Sequence, residues 1–403
     1  YAAPAHSLTC WPISRWRWPA HSLTLCCRAL RVMSVLPPLP ARALRWRASP
    51  HPSPSSYSIM CWNMLAQCYT RSEYFPNVSP KFALKWKHRG PAIVAEVQRL
   101  APDVVALQEV DNWDFMSSEL SSAGYDGARK GKTGGKKDGV AVLWKRALLR
   151  LAESEEVETD IKGGVGLLVR LEPASPASDG GGSFVVATTH LFWNPQLEVL
   201  KLRQAELCLR RAAAFARGGP LVFCGDLNSM PGSDVLALCE GGVAVRHTFT
   251  PMREGDDEES GACEPEAAPP AVETFKPPLR LHSAYEPPPA YTTLTDTFRG
   301  RLGRTEPRSE PPRDLAVGVG CLDHILLTRH WRCLATLDMI DEAAILAEKS
   351  LPSSRFPSDH MPLLAVLSLG GADAGERATN EDDEWSDRSY KSYDSAQDDR
   401  PWH

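Results

Sequence analysis

Eight polar residues carry most of the chemistry this sequence offers: Asn63, Glu109, His190, Asp226, Asn228, Asp323, Asp359 and His360. They comprise four carboxylates, two amides and two imidazoles, and each sits at the end or the start of a short apolar run. A polar group so placed costs free energy to desolvate unless it has a partner or a task. Hard oxygen ligands with few nitrogens and no sulfur suit Mg²⁺ or Mn²⁺, as one or two ions, better than zinc. A carboxylate beside such an ion can take a proton from water, and an imidazole can hydrogen-bond a phosphoryl oxygen that gains charge. The chemistry expected of the set is phosphoester hydrolysis.

The elements that must hold these groups are strands and helices in alternation. The runs 58–62, 104–108, 139–144, 184–189, 221–225, 323–328 and 363–367 are short, apolar and bounded by turn or polar residues, which predicts buried strands. Between them, 84–100 places Ile93, Val94, Val97 and Leu100 on one helical face. The stretch 196–217 repeats Val199, Leu202, Ala205, Leu209 and Ala212 at three- and four-residue steps, with Pro195 before its start. The expectation is a layered α/β domain over 57–368, with one core and with Pro- and acid-rich insertions near 251–275 and 301–319. Strand ends that converge at one edge of a sheet are a common place for a site.

The flanks differ in composition. Residues 1–56 hold seven Arg, no Lys, no acid and nine of the 34 prolines. An Arg-rich, acid-poor leader fits a mitochondrial or chloroplast transit peptide, and translated non-coding sequence ahead of Met33 fits equally; either way 1–56 is expected to stand outside the fold. Residues 369–403 carry ten acids and four bases, which predicts an acidic disordered tail that could contact proteins. Eleven cysteines without a CxxC pair argue for a reduced, intracellular protein and against structural zinc. No apolar run approaches the ~20 residues that span a bilayer, so no membrane partner is expected. The net charge of −5 speaks, naively, against nucleic acid, but Arg129, Lys130, Lys132, Lys136 and Lys137 form a sharp basic patch just before Asp138-Gly139. It reads as a solvated loop or as a clamp for an RNA backbone.

The ordered fragments Trp62-Asn63-Met64-Leu65-Ala66, Leu107-Gln108-Glu109-Val110, Thr189-His190-Leu191, Gly225-Asp226-Leu227-Asn228-Ser229, Leu322-Asp323-His324-Ile325 and Ser358-Asp359-His360 resemble the endonuclease–exonuclease–phosphatase superfamily. Further detail is similar to its carbon-catabolite-repressor-type deadenylases, with the nocturnin and Angel proteins nearby. That detail is Leu84-Lys85-Trp86-Lys87-His88-Arg89, Asp138-Gly139-Val140-Ala141, Trp193-Asn194-Pro195, Leu281-His282-Ser283-Ala284-Tyr285 and Tyr291-Thr292-Thr293 leading to Phe298.

The resemblance covers 57–368. It implies a four-layer α-β-β-α sandwich of the DNase I-like kind and a Mg²⁺-dependent 3′→5′ exoribonuclease that prefers the poly(A) 3′ end of RNA. It implies Glu109 as principal metal ligand with Asn63, Asp226 activating water or holding a second ion, Asn228 and His190 on phosphate, Asp323 orienting His360, and Asp359 in the metal shell. Pro195 and Phe298 match positions that sandwich a terminal base. His324 stands where the family more often has Tyr, Thr293 where Asn is commoner, and 301–319 is an insertion. The leucine-rich repeats that dock some members onto a deadenylation complex are not in the sequence. The same site could instead serve a nucleotide phosphatase or phosphodiesterase, acting on NADP(H) or 2′-5′ oligoadenylate, or could have become a silent RNA-binding scaffold.

Overall fold

The computed structural model describes residues 39–47, 55–159, 162–175, 182–241, 243–251, 269–294, 319–348 and 350–370. Seventeen strands run through these described residues. They are β1 (Leu44–Trp46), β2 (Ser56–Asn63), β3 (Val104–Gln108), β4 (Tyr125–Gly131), β5 (Gly139–Lys145), β6 (Leu149–Thr159), β7 (Gly164–Pro173), β8 (Phe184–His190), β9 (Leu221–Asp226), β10 (Val245–Phe249), β11 (Ala271–Phe275), β12 (His282–Ser283), β13 (Thr293–Leu294), β14 (Val319–Gly320), β15 (Asp323–Leu327), β16 (Trp331–Leu337) and β17 (Leu363–Leu369). Seven of them form one sheet in the order β1-β16-β17-β2-β3-β5-β4, and six form a second in the order β12-β15-β9-β8-β7-β6. The main helices are α1 (Trp86–Leu100), α2 (Trp113–Ser122), α3 (Glu198–Ala216) and α4 (Asp234–Glu240).

Strand alternation explains the layers. In β2, Ile59 and Cys61 point into the core between the sheets, with Val104, Ala106, Val186, Val222 and Ile325. Met60 and Trp62 point the other way and pack with Ile93 and Val97 of α1 and Met116 and Leu120 of α2. The second sheet does the same: Val185, Ala187 and Phe223 meet Leu202, Leu209 and Ala212 of α3 and Val235 and Leu238 of α4. Strands covered on both faces lose the polar alternation and read as continuous apolar runs. The α-β-β-α sandwich is therefore present, and the seven expected strands appear as β2, β3, β5, β8, β9, β15 and β17.

Some expectations change. Residues 39–47 contact the fold. Leu44–Trp46 pairs antiparallel with β16, Leu39 is buried among Tyr291, Leu294, Ile340, Phe356 and Met361, and Arg42 Nε donates to the Asp338 carbonyl at 2.6 Å. Part of the basic patch is strand, since Arg129 and Lys130 lie in β4 against Ala141 and Val140. The insertion near 251–275 is bracketed by a hairpin in which Val245–Phe249 pairs with Ala271–Phe275. Residues 1–38, 371–403 and 295–318, and with them Phe298, the acidic tail and most of the 301–319 insertion, lie outside the described residues. Among the described residues no helix is long and apolar enough to cross a membrane.

Candidate active site

Register brings the polar strand ends together. Parallel pairing sets His190 beside Asp226 across β8 and β9, and antiparallel pairing sets Asp323 opposite Asp226 across β9 and β15. The approach of β8 to β9 requires Gly225: its φ is +154°, and a Cβ there would lie 2.0 Å from the Thr189 carbonyl oxygen. In the facing sheet, Asn63 ends β2 beside Gln108 of β3, and Glu109 follows with φ +58°. That left-handed turn, unusual for a residue with a Cβ, swings the carboxylate off the strand.

Asn63 bridges the two sheets. Its Nδ2 donates to Asp226 Oδ2 at 2.9 Å and to Glu109 Oε1 at 3.2 Å, while its Oδ1 accepts the Leu65 N–H at 3.0 Å. Glu109 Oε2 accepts the Ala66 N–H at 2.9 Å. Asp226 Oδ1 accepts the Asn228 N–H at 2.9 Å. Its Oδ2 lies 3.7 Å from Nε2 of both His190 and His360. His360 Nδ1–H points at Asp323 Oδ2, 2.8 Å away. Burial works against the His360 imidazolium, but Asp323, Asp226 and Asp359 outweigh it and hold the ring protonated well above the usual histidine range. Burial pushes Asp226 up to about 7, with Asp323 adding to the rise and His360 and Asn63 opposing it. Glu109 is likewise raised, first by burial and then by the charges of Asp359 and Asp138.

The acids fit a cation. Asp359 Oδ1 and Asp323 Oδ1 are buried without a hydrogen-bond partner among the described residues, a costly state for a carboxylate. A divalent ion between the Glu109 and Asp359 carboxylates would relieve both that desolvation and their mutual repulsion. Asp226, Asp323 and His360 also bring ligand atoms within 4.8 Å of one another. Their 2.8 Å Asp323–His360 contact is a hydrogen-bond distance, so this trio reads as a proton-holding network beside the cation position. The buried acidic cluster as a whole is compatible with a divalent metal.

These groups open into a cleft of about 320 Å³ lined by Glu109, Asp226, Asn228, Asp359, His190 and His360, with Leu65, Tyr69, Tyr74, Phe192 and Trp193 as apolar walls. Asn63 and Asp323 stand behind this lining. The basic patch divides. Lys132 and Lys136 reach the cleft. Arg129 instead donates to the Val110 and Lys137 carbonyls, Lys130 pairs with Glu156 and Glu158, and Lys137 is exposed away from the lining. Pro195 is exposed and starts the turn Pro195–Leu197, which the Asn194 side chain caps; its fixed φ suits that first position. Trp193, two residues earlier, supplies the apolar wall in its place.

Five residues were given no role in the sequence reading. Asp138 is fully buried and holds Lys132 Nζ at 2.8 Å and the Tyr69 hydroxyl at 2.8 Å. Lys132 Nζ in turn lies 3.3 Å from His190 Nδ1. An ammonium only donates, so Nδ1 accepts and the His190 ring proton sits on Nε2, facing Asp226 and the cleft. Arg89, fully buried, donates to the carbonyls of Met64, Leu65 and Pro357 and tethers the loops that carry Glu109's partner Ala66 and Asp359. Burial lowers it to about 10, while Asp359, Asp111 and Glu109 favour its charge. Thr292 Oγ1 accepts the N–H groups of Leu322 and Asp323, and Thr293 Oγ1 donates to the Asp359 carbonyl. Lys201, buried in α3, donates to the Asn228 carbonyl at 2.8 Å and steadies a residue whose φ is +47°. The Asp138-Gly139 and Lys-His-Arg fragments were visible; what they touch was not.

Comparison with known proteins agrees with this geometry. Residues 60–360 match the model of the Endonuclease/Exonuclease/phosphatase family. Carbon catabolite repressor protein 4 homolog 4 of Arabidopsis thaliana is 26% identical over 364 residues, 78% of each chain. Protein angel homolog 1 of Homo sapiens is 32% identical over 211 residues, which is 47% of this chain but 31% of that protein. The CCR4-NOT transcription complex subunit 6-like protein of Danio rerio is 26% identical over 392 residues, 82% of this chain and 66% of that one. Among solved structures, ANGEL2, described as a 2′,3′-cyclic phosphatase in complex with adenosine-2′,3′-vanadate, superposes with a TM-score of 0.61 at 24% identity, over 82% of this chain and 99% of that one. The human Nocturnin catalytic domain with a bound sulfate anion superposes with a TM-score of 0.53 at 22% identity, over 82% and 97%. The match over residues 60–360 shows that this chain belongs to the Endonuclease/Exonuclease/phosphatase family, and it is a phosphoester-hydrolysing enzyme.

Proposed function

We propose that the chain is a Mg²⁺-dependent 3′→5′ exoribonuclease acting on the poly(A) 3′ end of RNA. The observation that carries this reading is Asp226 Oδ2, placed 3.7 Å from two imidazole nitrogens at the floor of a cleft with aromatic walls and lysines at its edge. The 3′-terminal phosphodiester lies across this floor. Asp226, poised near pH 7, takes the proton from the attacking water. The Nε2–H of His190 and the imidazolium of His360 donate to phosphoryl oxygens as charge develops there. Asp323 keeps His360 charged and oriented. Lys132 fixes the His190 tautomer and adds positive charge at the cleft wall. Tyr69, Tyr74, Phe192 and Trp193 offer faces for the terminal base, where stacking contributes ~1–3 kcal/mol. Glu109 and Asp359, with Asn63 behind, would hold Mg²⁺ (Mn²⁺ in its place), which when bound neutralises and polarises the phosphoryl group.

The test offers the full chain 5′-labelled RNA with an A-tail, with Mg²⁺ or EDTA, and runs Glu109→Gln beside it. A ladder that shortens from the 3′ end, needs Mg²⁺ and fades in the variant supports the reading. Turnover that survives both EDTA and the substitution sinks the metal mechanism.

A second reading is a nucleotide phosphatase or cyclic phosphodiesterase. The fold shared with a structure that carries adenosine-2′,3′-vanadate favours it. Hydrolytic ring opening of adenosine 2′,3′-cyclic phosphate, or release of inorganic phosphate from it or from NADPH, with A-tailed RNA left intact, would select this reading.

A further inference from the structure

The excursion between β2 and α1 has two uses for its residues. Leu65, Tyr69 and Tyr74 line the cleft. They belong to a small core with Phe75, Val78 and the two residues after Phe82, Ala83 and Leu84. Phe82 itself is 43% exposed, and its ring lies 4.9 Å from that of His88 at an interplanar angle of 47°. Lys81, Lys85 and Lys87, all exposed, adjoin the two ring residues in sequence. Lys81 Nζ is spent on the Phe75 and Pro76 carbonyls, which leaves Lys85 and Lys87 as the outward charges. Between 71 and 89 the chain has five Lys or Arg and one acid, Glu73, in a protein whose net charge is −5. The β2–α1 excursion thus has an aromatic face interleaved with cations outside the cleft.

An exposed aromatic next to lysines in sequence presents an apolar face beside positive charge. It is well explained by single-stranded nucleic acid, which offers flat bases to stack and phosphates to neutralise. We propose that Phe82 and His88, with Lys85 and Lys87, form a second RNA subsite that binds the single strand upstream of the 3′ end held in the cleft. This rests on the exoribonuclease reading and adds to it a length requirement: the enzyme grips RNA that extends past the terminal nucleotides.

The test uses the full chain and fluorescein-labelled oligo(A), a 3-mer and a 15-mer, with EDTA present during binding so that no turnover intervenes. Hydrolysis of bis(p-nitrophenyl) phosphate in Mg²⁺ reports the cleft alone. Phe82→Ala and the pair Lys85→Gln/Lys87→Gln touch only exposed side chains; Phe82→Trp keeps a stacking face. The wild type should bind the 15-mer more tightly than the 3-mer. Phe82→Ala should weaken the 15-mer about tenfold with the 3-mer and the small ester unaffected, and Phe82→Trp should restore it. The lysine pair should make the slope of log affinity against log salt shallower by about 1.4, about 0.7 per lost single-strand contact. A wild type that binds both lengths equally, or variants that keep the full length dependence, overturn the subsite. If the small ester is cleaved but neither oligonucleotide is bound, the exoribonuclease reading itself falls, and the subsite with it.

Discussion

Asp323→Asn isolates the role of the charge behind His360. The two side chains are nearly inaccessible to solvent and meet at 2.8 Å, and the second Asp323 oxygen has no hydrogen-bond partner among the described residues, so the carboxylate charge is directed at the imidazolium. At that distance and an effective dielectric of about 20, the Coulomb attraction is about 6 kcal/mol. Desolvation of both groups offsets part of it, and breaking such a buried pair costs about 3–5 kcal/mol. An asparagine keeps the shape but removes the charge, and its amide can face Nδ1 with either atom. If about 3 kcal/mol of the loss falls on the transition state, kcat drops by about 150-fold, with KM within about threefold. The pH profile should move as well. The active form holds His360 protonated, so activity is lost as pH rises through its raised pKa; without the Asp323 charge that limb shifts to lower pH. The assay is the pH dependence of kcat on A-tailed RNA, with a thermal melt to establish folding. A folded variant with kcat within threefold of wild type and an unmoved basic limb refutes the role given to Asp323.

Three further outcomes follow from the same geometry. Burial raises the folded-state values of Glu109 and Asp226 above those of the unfolded chain; the folded state then binds more protons, and stability falls as pH rises from about 4 towards 7. Melting in EDTA should therefore drop between pH 5 and pH 8, and the gain from Mg²⁺ should be larger at pH 8; an equal gain at both argues against a cation relieving these acids. Gly225→Ala places a Cβ 2.0 Å from the Thr189 oxygen, and a denaturant titration should show a loss of at least about 3 kcal/mol; a loss under 1 kcal/mol means that the β8–β9 approach can relax. Thr292→Val deprives two N–H groups, those of Leu322 and Asp323, of their acceptor, at about 1–3 kcal/mol each, and should depress kcat more than KM as Asp323 loses its seat; unchanged kcat would detach that seat from catalysis.

The proposed catalytic side chains were legible because each lies at the end or the start of an apolar run, and a polar residue at the boundary of a strand buried on both faces announces a task. Seven strands and the two long helices were legible for the same reason. What stayed hidden follows two patterns. The edge and outer strands carry too much charge for an apolar signal: β6 reads Leu-Arg-Leu-Ala-Glu-Ser-Glu-Glu-Val-Glu-Thr, and Lys130 of β4 pairs with its Glu156. The supports Asp138, Arg89 and Thr292 act through contacts distant in sequence, and no local spacing encodes that Asp138 lies against Tyr69 or Arg89 against Pro357.

Residues 39–47 change what counts as a minimal enzyme. Leu39 packs with Tyr291, Leu294 and Met361, neighbours of Thr292, Thr293 and His360, while Leu44–Trp46 covers the outer edge of β16. A fragment trimmed to start at β2 keeps both sheets in outline. It strips the buttress from beneath the histidine, and it leaves the β16 edge open to pairing with other chains. Such a truncation would aggregate and fall silent with every catalytic side chain intact, a result easily misread as evidence of a dead enzyme.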